Sequence, residues 1–307
     1  MIGASSSSSK RKRHAKEWPL HLMLLPAVII VLLFSYMPMA GILIAFERFN
    51  PSKGFFGSPF VGWDNFQYVM NMPGFGQVMW NTVYISLMKI VAGLVAPITF
   101  ALLLNEILGS KVKRTIQTLI YLPHFMSWVI LGGIMIDILS PSGGLLNSLL
   151  GVAGIEPVFF LGNERLFPYM LVASDVWKEF GFGTIIYLAA ITSINPALYE
   201  AAVCDGATRL KQTLHITLPG MAPIIVLMMT LSLGNVLNAG FDQVFNLYSP
   251  VVYRTGDILD TLVYRLGLLD AQYGVATAVG LFKSIVSTCF IVISYLCAYR
   301  FANYRIF

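Results

Sequence analysis

Asp175, Lys178 and Glu179 recur at i, i+3 and i+4, so a helix through them carries two carboxylates and an ammonium on one face. Inside an apolar segment each such group costs about 2.5–3.5 kcal/mol on insertion scales, so it faces a partner or a wetted path. Lys89 and Lys283 stand near the middle of apolar stretches of their own. Two chemistries fit these five charges: an ion-pair network between helices, and the polar lining of a solute path. Asn235, Asn238 and Asp242 are spaced i, i+3 and i+7, and Tyr121, His124, Phe125 and Trp128 make an aromatic and polar stripe. Amides, carboxylates and aromatic rings together suit a polar solute with groups to hydrogen-bond and faces to stack. The plainer readings are hydrogen bonding between helices for the first stripe and packing for the second, with His124 as a hydrogen-bonded interior histidine.

Covalent and metal chemistry have no comparable support. Cys204, Cys289 and Cys297 form no CxxC pair, and His14, His21, His124 and His215 are scattered with no HExxH. No nucleophile–base pair stands out. The phosphate-cradling pattern GxxxxGK(S/T) does not occur, so any work driven by ATP requires another chain to hydrolyse it.

These residues must be positioned by elements that cross a bilayer. The 307 residues are 57% hydrophobic and only 11% charged, against about 45–50% and ~25% in ordinary globular chains. Mean hydropathy is +0.73. Too few charges remain for a solvated skin, and too little polarity for disorder, so a cytosolic enzyme and a disordered chain are both excluded. The net charge of +5 does not indicate nucleic acid, because five of the twenty cations lie within residues 10–16. A spanning helix needs about 20 apolar residues. That criterion predicts spans near 19–46, 78–104, 114–139, 166–193, 219–240 and 274–300. The first is too long for a signal-peptide core, with no A-x-A-like site after it, and is expected to be retained. Residues 1–18, with Ser5 to Ser9 and Lys10-Arg11-Lys12-Arg13, read as a disordered basic tail whose charge fixes topology. With both termini in the cytoplasm, the inner connections hold twelve of the twenty Lys and Arg and the outer ones five. The positive-inside rule selects that orientation. The long outer connections, about 47–77, 140–165 and 241–273, suit docking of an extracellular partner. In the last span Ala276, Gly280, Ser284 and Thr288 recur every four residues, which reads as a helix-packing seam.

The inner loop 195–219 has the most regular local signals. Asn195 is a good N-cap, Pro196 fits the first helical position, and Gly206 can take the left-handed turn that ends a short helix over 196–204. A second helical stretch is expected from Ala207 to Thr217, stopped by Leu218-Pro219. Glu200-Ala201-Ala202, three residues, Gly206, nine residues, then Ile216, Leu218 and Pro219 is a pattern that resembles the EAA loop of ABC importer permeases. Val61-Gly62-Trp63-Asp64-Asn65-Phe66 and Asn81-Thr82 look like the carbohydrate branch of those permeases. Tyr121-Leu122-Pro123-His124-Phe125, Trp177-Lys178-Glu179, Ile186-Tyr187-Leu188-Ala189-Ala190 and Gly280-Leu281-Phe282-Lys283-Ser284 are similar to the LplB-like polysaccharide or oligosaccharide permeases.

The resemblance implies an all-α integral membrane protein of the six-helix type I importer permease fold, its permease domain running over 19–307. Glu200, Ala201, Ala202, Asp205, Gly206, Ile216, Leu218 and Pro219 would couple to an ATPase, with Glu200 on a basic residue of it and Gly206 making the turn. Tyr121, His124, Trp128, Lys178, Glu179, Asn235, Asn238, Asp242 and Lys283 are the candidate cargo path. The implied setting is the cytoplasmic membrane of a bacterium. The implied partners are a second, homologous permease chain, two cytoplasmic ATPase subunits that bind ATP and Mg, and an extracellular or lipid-anchored binding protein. No cofactor or metal is expected in this chain itself. A non-sugar solute, or an ion-coupled secondary carrier using the charged fourth span, are the competing readings.

Overall fold

The structure, a computed structural model, describes the backbone of residues 7–302 and the side chains of 18–19 and 21–296. Of the expected disordered tail at 1–18, residues 1–6 lie outside the described residues, and from Ser7 onward the backbone is already helical; the Cys297 side chain also lies outside. The elements are helices α1 (Ser7–Val31), α2 (Gly54–Gly57), α3 (Asp64–Asn71), α4 (Phe75–Asn105), α5 (Ser110–Tyr121), α6 (Trp128–Leu139), α7 (Leu145–Val152) and α8 (Phe167–Thr192). They continue with α9 (Pro196–Cys204), α10 (Arg209–Gln212), α11 (Leu218–Gly234), α12 (Phe241–Leu247), α13 (Tyr253–Gly256), α14 (Leu259–Tyr264) and α15 (Tyr273–Ala302). Among the described residues no strand forms. Among those residues four helices are long and apolar enough to cross a membrane, and six if each of two bent pairs counts as one span.

Helices α4 and α8 form the central pair and pack on each other most extensively. The crossing of α8 with α5 is close because Gly181 has no side chain: a Cβ there would stand 2.0 Å from the Ile120 carbonyl oxygen. Tyr187, Ala190 and Ile191 of α8 are buried against Ala101 of α4 and Met221 of α11. At the other end of the bundle, Phe75 and Val78 of α4 meet Leu259 and Leu262 of α14 and Ala278 and Val279 of α15.

Three expectations need correction. The third span is not one helix. Pro123 withholds a backbone N–H, residues Leu122–Phe125 tighten into a 3-10 turn, and the Ser127 hydroxyl caps a new helix by accepting the Ile130 N–H. The two halves meet at 105°. The fifth span ends at Gly234, short of residue 240, and Gly240 at φ +92° turns the chain into α12. Its beginning is also different. Leu218-Pro219 does not stop a helix; Arg209–Gly234 is continuous through a wide, π-type turn at Thr213–Thr217. There the Leu218 N–H reaches the Thr213 carbonyl, and the widened turn accommodates the proline that follows.

The first apolar helix is itself irregular, with a wide turn at Leu32–Tyr36 and a 3-10 stretch at Met37–Phe46. None of the residues in its most apolar window is buried. It borders a groove of about 1210 Å³ whose other wall is α15. Ala276 is buried in the core against Gly267 and α14, whereas Gly280, Ser284 and Thr288 line the groove, where a Cβ on Gly280 would meet nothing within 4 Å. The expected packing seam is thus closed at Ala276 and open within the chain from Gly280 onward.

Candidate functional site

Two places gather the singled-out residues. The first is the α9 end of the bundle. The Asn195 carboxamide oxygen accepts the Ala197 N–H at 3.0 Å, Pro196 occupies the first turn, and Gly206 sits at φ +71°. The Asp205 N–H closes on the Ala201 carbonyl at 3.0 Å, and the Ala207 N–H on that of Ala202 at 2.8 Å. Glu200, Ala201, Asp205 and Gly206 are exposed, Ala202 is half-buried, and α9 buries no residue. Ile216 and Leu218 are half-buried where the wide turn enters α11, with Pro219 exposed beside them. Around α9 the apolar side chains of Leu198, Val203 and Leu210 stand 52%, 63% and 68% exposed, a face of the kind a second chain covers. Behind Glu200 lies a cleft of about 680 Å³ whose walls include Glu106, Tyr199, Arg209, Gln212 and Thr217.

The second place is the broken third span. Trp128, Lys178 and Asp242, three candidates from three elements, line one pocket of about 370 Å³ with Met126, Ser127, Val129 and Asn246. The Lys178 ammonium is 5.8 Å from the centre of the Trp128 ring system. It also donates to the His124 carbonyl at 2.7 Å and pairs with Glu179 at 3.1 Å. His124 Nδ1 is 2.7 Å from Glu179 Oε2, and the imidazole stacks on Phe182 at 4.1 Å. The pocket thus offers an indole face, a carboxylate and an amide beside a neutralised ion pair. Such a set can stack a sugar ring and hydrogen-bond its hydroxyls.

The other candidates separate. Asn235 follows the last turn of α11 and donates back to the Leu231 carbonyl at 3.3 Å, so Asn235, Asn238 and Asp242 do not form one helical stripe. Asn238 lines the large groove beside Phe241, Asp260 and Tyr264. Lys283 pairs with Asp260, which stands on the same groove. Tyr121 ends α5 and is divided from Trp128 by the bend, so the aromatic stripe is broken too. Lys89 pairs with Asp175 at 3.1 Å and donates to the Ala239 carbonyl at 2.7 Å and to the Gln243 side chain. Its role is to tie α4, α8 and α12 together.

Several positioning residues were not singled out from sequence. Gln243 is fully buried and donates to the Leu171 carbonyl and the Ser174 hydroxyl at 2.7 and 2.8 Å. Asp257, also buried, takes Arg265 in a two-pronged pair and the Thr261 hydroxyl at 2.7 Å. The i, i+4, i+8 spacing of Asp257, Thr261 and Arg265 was the available signal. This knot fixes the 254–259 segment onto α4, where the Asn81 amide donates to the carbonyls of Arg254 and Asp257 at 3.0 and 3.2 Å. Nearby, burial and the Tyr253 hydroxyl push the Tyr248 phenol up to about 12.

The geometry has counterparts. The polygalacturonan/rhamnogalacturonan transport system permease protein YteP of Bacillus subtilis is 41% identical over 94% of this chain and 90% of its own. Protein LplB of the same organism is 40% identical over 88% of this chain and 85% of its own. A chain in the crystal structure of a bacterial alginate ABC transporter, in complex with a periplasmic protein carrying an alginate pentasaccharide, superposes with a TM-score of 0.88. It is 38% identical, over 96% of this chain and 99% of that one. Residues 93–304 match the family model for the inner membrane component of binding-protein-dependent transport systems. With its several long apolar helices, the chain is a multi-pass bacterial membrane protein and belongs to that family.

Proposed function

We propose that this chain is a membrane-spanning subunit of an ATP-driven importer, and that it forms part of the path for an oligosaccharide or polysaccharide fragment. The observation that carries the reading is α9: a capped helix that buries none of its residues, with the EAA residues on it and apolar side chains uncovered around it. Such an element has no use for its own chain, and it suits a groove on a cytoplasmic ATPase that binds ATP and Mg. Glu200 then meets a basic residue, and Ala201 and Ala202 allow close approach.

In this reading six spans cross the membrane with both termini inside, as the cation count favours. A second, homologous permease chain faces the large groove, and a binding protein docks on the long outer connections. Closure of the ATPase dimer moves α9, and the cavity opens alternately to either side as a rigid-body transition. The relatives' names point to pectic or related glycans as cargo, and the Trp128–Asp242–Asn246 pocket has the chemistry to hold one sugar ring. The charged fourth span does not favour an ion-coupled carrier, because Asp175 pairs with Lys89 and Glu179 with Lys178.

The test is a purified assembly. ATPase subunits and a second permease co-purify with the chain, and ATP turnover of the complex with its binding protein rises with galacturonide or rhamnogalacturonide oligosaccharides. Glu200→Arg or Gly206→Val abolishes uptake while the chain stays in the membrane. Uptake that survives both variants, or that persists without ATP and collapses with an ion gradient, overturns the reading.

A further inference from the structure

A nine-residue helix that buries nothing is not held in place by hydrophobic packing. The contacts that attach α9 therefore decide where a force applied to it goes. Its side-chain tie to the membrane helices is Tyr199, half-buried, whose hydroxyl lies 2.9 Å from the Thr217 hydroxyl. Thr217 is 3% exposed and is the last residue of the wide turn, immediately before α11 begins at Leu218. On the far side of α9, the buried Gln212 amide donates to the Ala207 carbonyl at 3.0 Å and fixes the turn after Gly206. The Arg209–Glu106 pair, 3.3 Å apart and open to solvent, adds little.

The place where Tyr199 is attached is mechanically special. The Thr213–Thr217 turn holds one residue more than an α-helical turn, and Pro219 removes a further N–H from the ladder just beyond it. A helix bends most easily at such a point. Three residues past Thr217, Gly220 lies so close under Ile194, at the exit of α8, that a Cβ would come within 2.6 Å of it. The hydroxyl pair thus stands where α8, α9 and α11 converge, on the soft turn of α11.

We propose that the Tyr199–Thr217 hydroxyl pair is the strut through which displacement of α9 enters the membrane, with the wide turn Thr213–Thr217 as the hinge on which α11 swings. This rests on the reading that an ATPase moves α9, and it assigns Tyr199 and Thr217 as positioning residues that touch neither nucleotide nor cargo. The covalent route from α9 to α11 is longer, passing through the Gly206 turn and α10. The strut bypasses that route and joins α9 directly to the start of α11.

The strut is tested by amide hydrogen exchange on the complete transporter, nucleotide-free and trapped with Mg-ATP and vanadate. In the unaltered complex, trapping changes exchange in both the α9 peptide and the 213–234 peptide. With Tyr199→Phe or Thr217→Val the ATPase subunits still co-purify and still trap nucleotide, but the change over 213–234 shrinks about five- to tenfold, the factor carried by one hydrogen bond. Thr217→Ser keeps a hydroxyl and restores it, and the double variant is no worse than either single one. A full exchange response in Tyr199→Phe and Thr217→Val, or the same loss in Thr217→Ser, overturns the strut while leaving the ATPase-docking role of α9 intact. Failure of the unaltered chain to hold an ATPase overturns that role and the strut together.

Discussion

Lys89 Nζ lies 3.1 Å from Asp175 Oδ1, across the interface of α4 and α8, with the two side chains only 10% and 27% exposed. Gln243 and the Ala239 carbonyl complete the ammonium's partners, so one cation joins three helical elements. Removing one member of such a pair strands the other, which costs about 3–5 kcal/mol when both are fully buried. The residual exposure of Asp175 places Asp175→Asn at the lower end. Thermal unfolding of the purified chain should show the loss, and Lys89→Met with Asp175→Leu should recover most of it, because an apolar pair of similar volume replaces a buried ion pair at little cost.

Glycines in this chain divide sharply by surroundings. Gly181→Ala sets a methyl group against the Ile120 carbonyl, a backbone atom that cannot step aside, and should sharply reduce the yield of folded protein. Gly280→Ala meets open space and should leave the thermal midpoint of the isolated chain unchanged. Equal effects would show that the α5–α8 crossing is looser than described.

Asn81 fastens the 254–259 segment to α4 through two carbonyls. Asn81→Ala leaves both acceptors unmet, at about 1–3 kcal/mol. The expected outcome is faster cleavage between residues 248 and 258 by an added protease, with the spans still intact on a gel.

In the pocket at the bend, Trp128→Ala removes the stacking face and Asp242→Ala the carboxylate. An aromatic contact is worth about 0.5–1.5 kcal/mol beyond its area, so Trp128→Ala should raise the half-saturating oligosaccharide concentration for uptake about two- to tenfold. Trp128→Phe should fall between the two. Unchanged uptake in Trp128→Ala would remove this pocket from the cargo path.

What could be read without coordinates was whatever depends on neighbours in sequence. The Asn195 cap, Pro196 and the Gly206 turn are each decided within a few residues, and α9 has the bounds those residues dictate. The apolar runs likewise place α4, α8 and α15. Readings that extended one helix past a local breaker failed. Pro123 and Ser127 divide the third span, and Gly234 to Gly240 end the fifth, because capping and φ > 0 outweigh continued hydrophobicity. Partners across helices were not legible: nothing in sequence says that Lys89 meets Asp175, Lys283 meets Asp260 or Tyr199 meets Thr217.

The bare first helix has a practical meaning. Through its apolar middle this 26-residue span leans on nothing in its own fold, and it is anchored at its end, where Ala45 is buried with residues of α4, α14 and α15. In the proposed assembly a second permease chain covers that bare stretch, so a polypeptide synthesised alone leaves it open to membrane proteases and aggregation, and balanced production of both chains becomes a condition for either to survive.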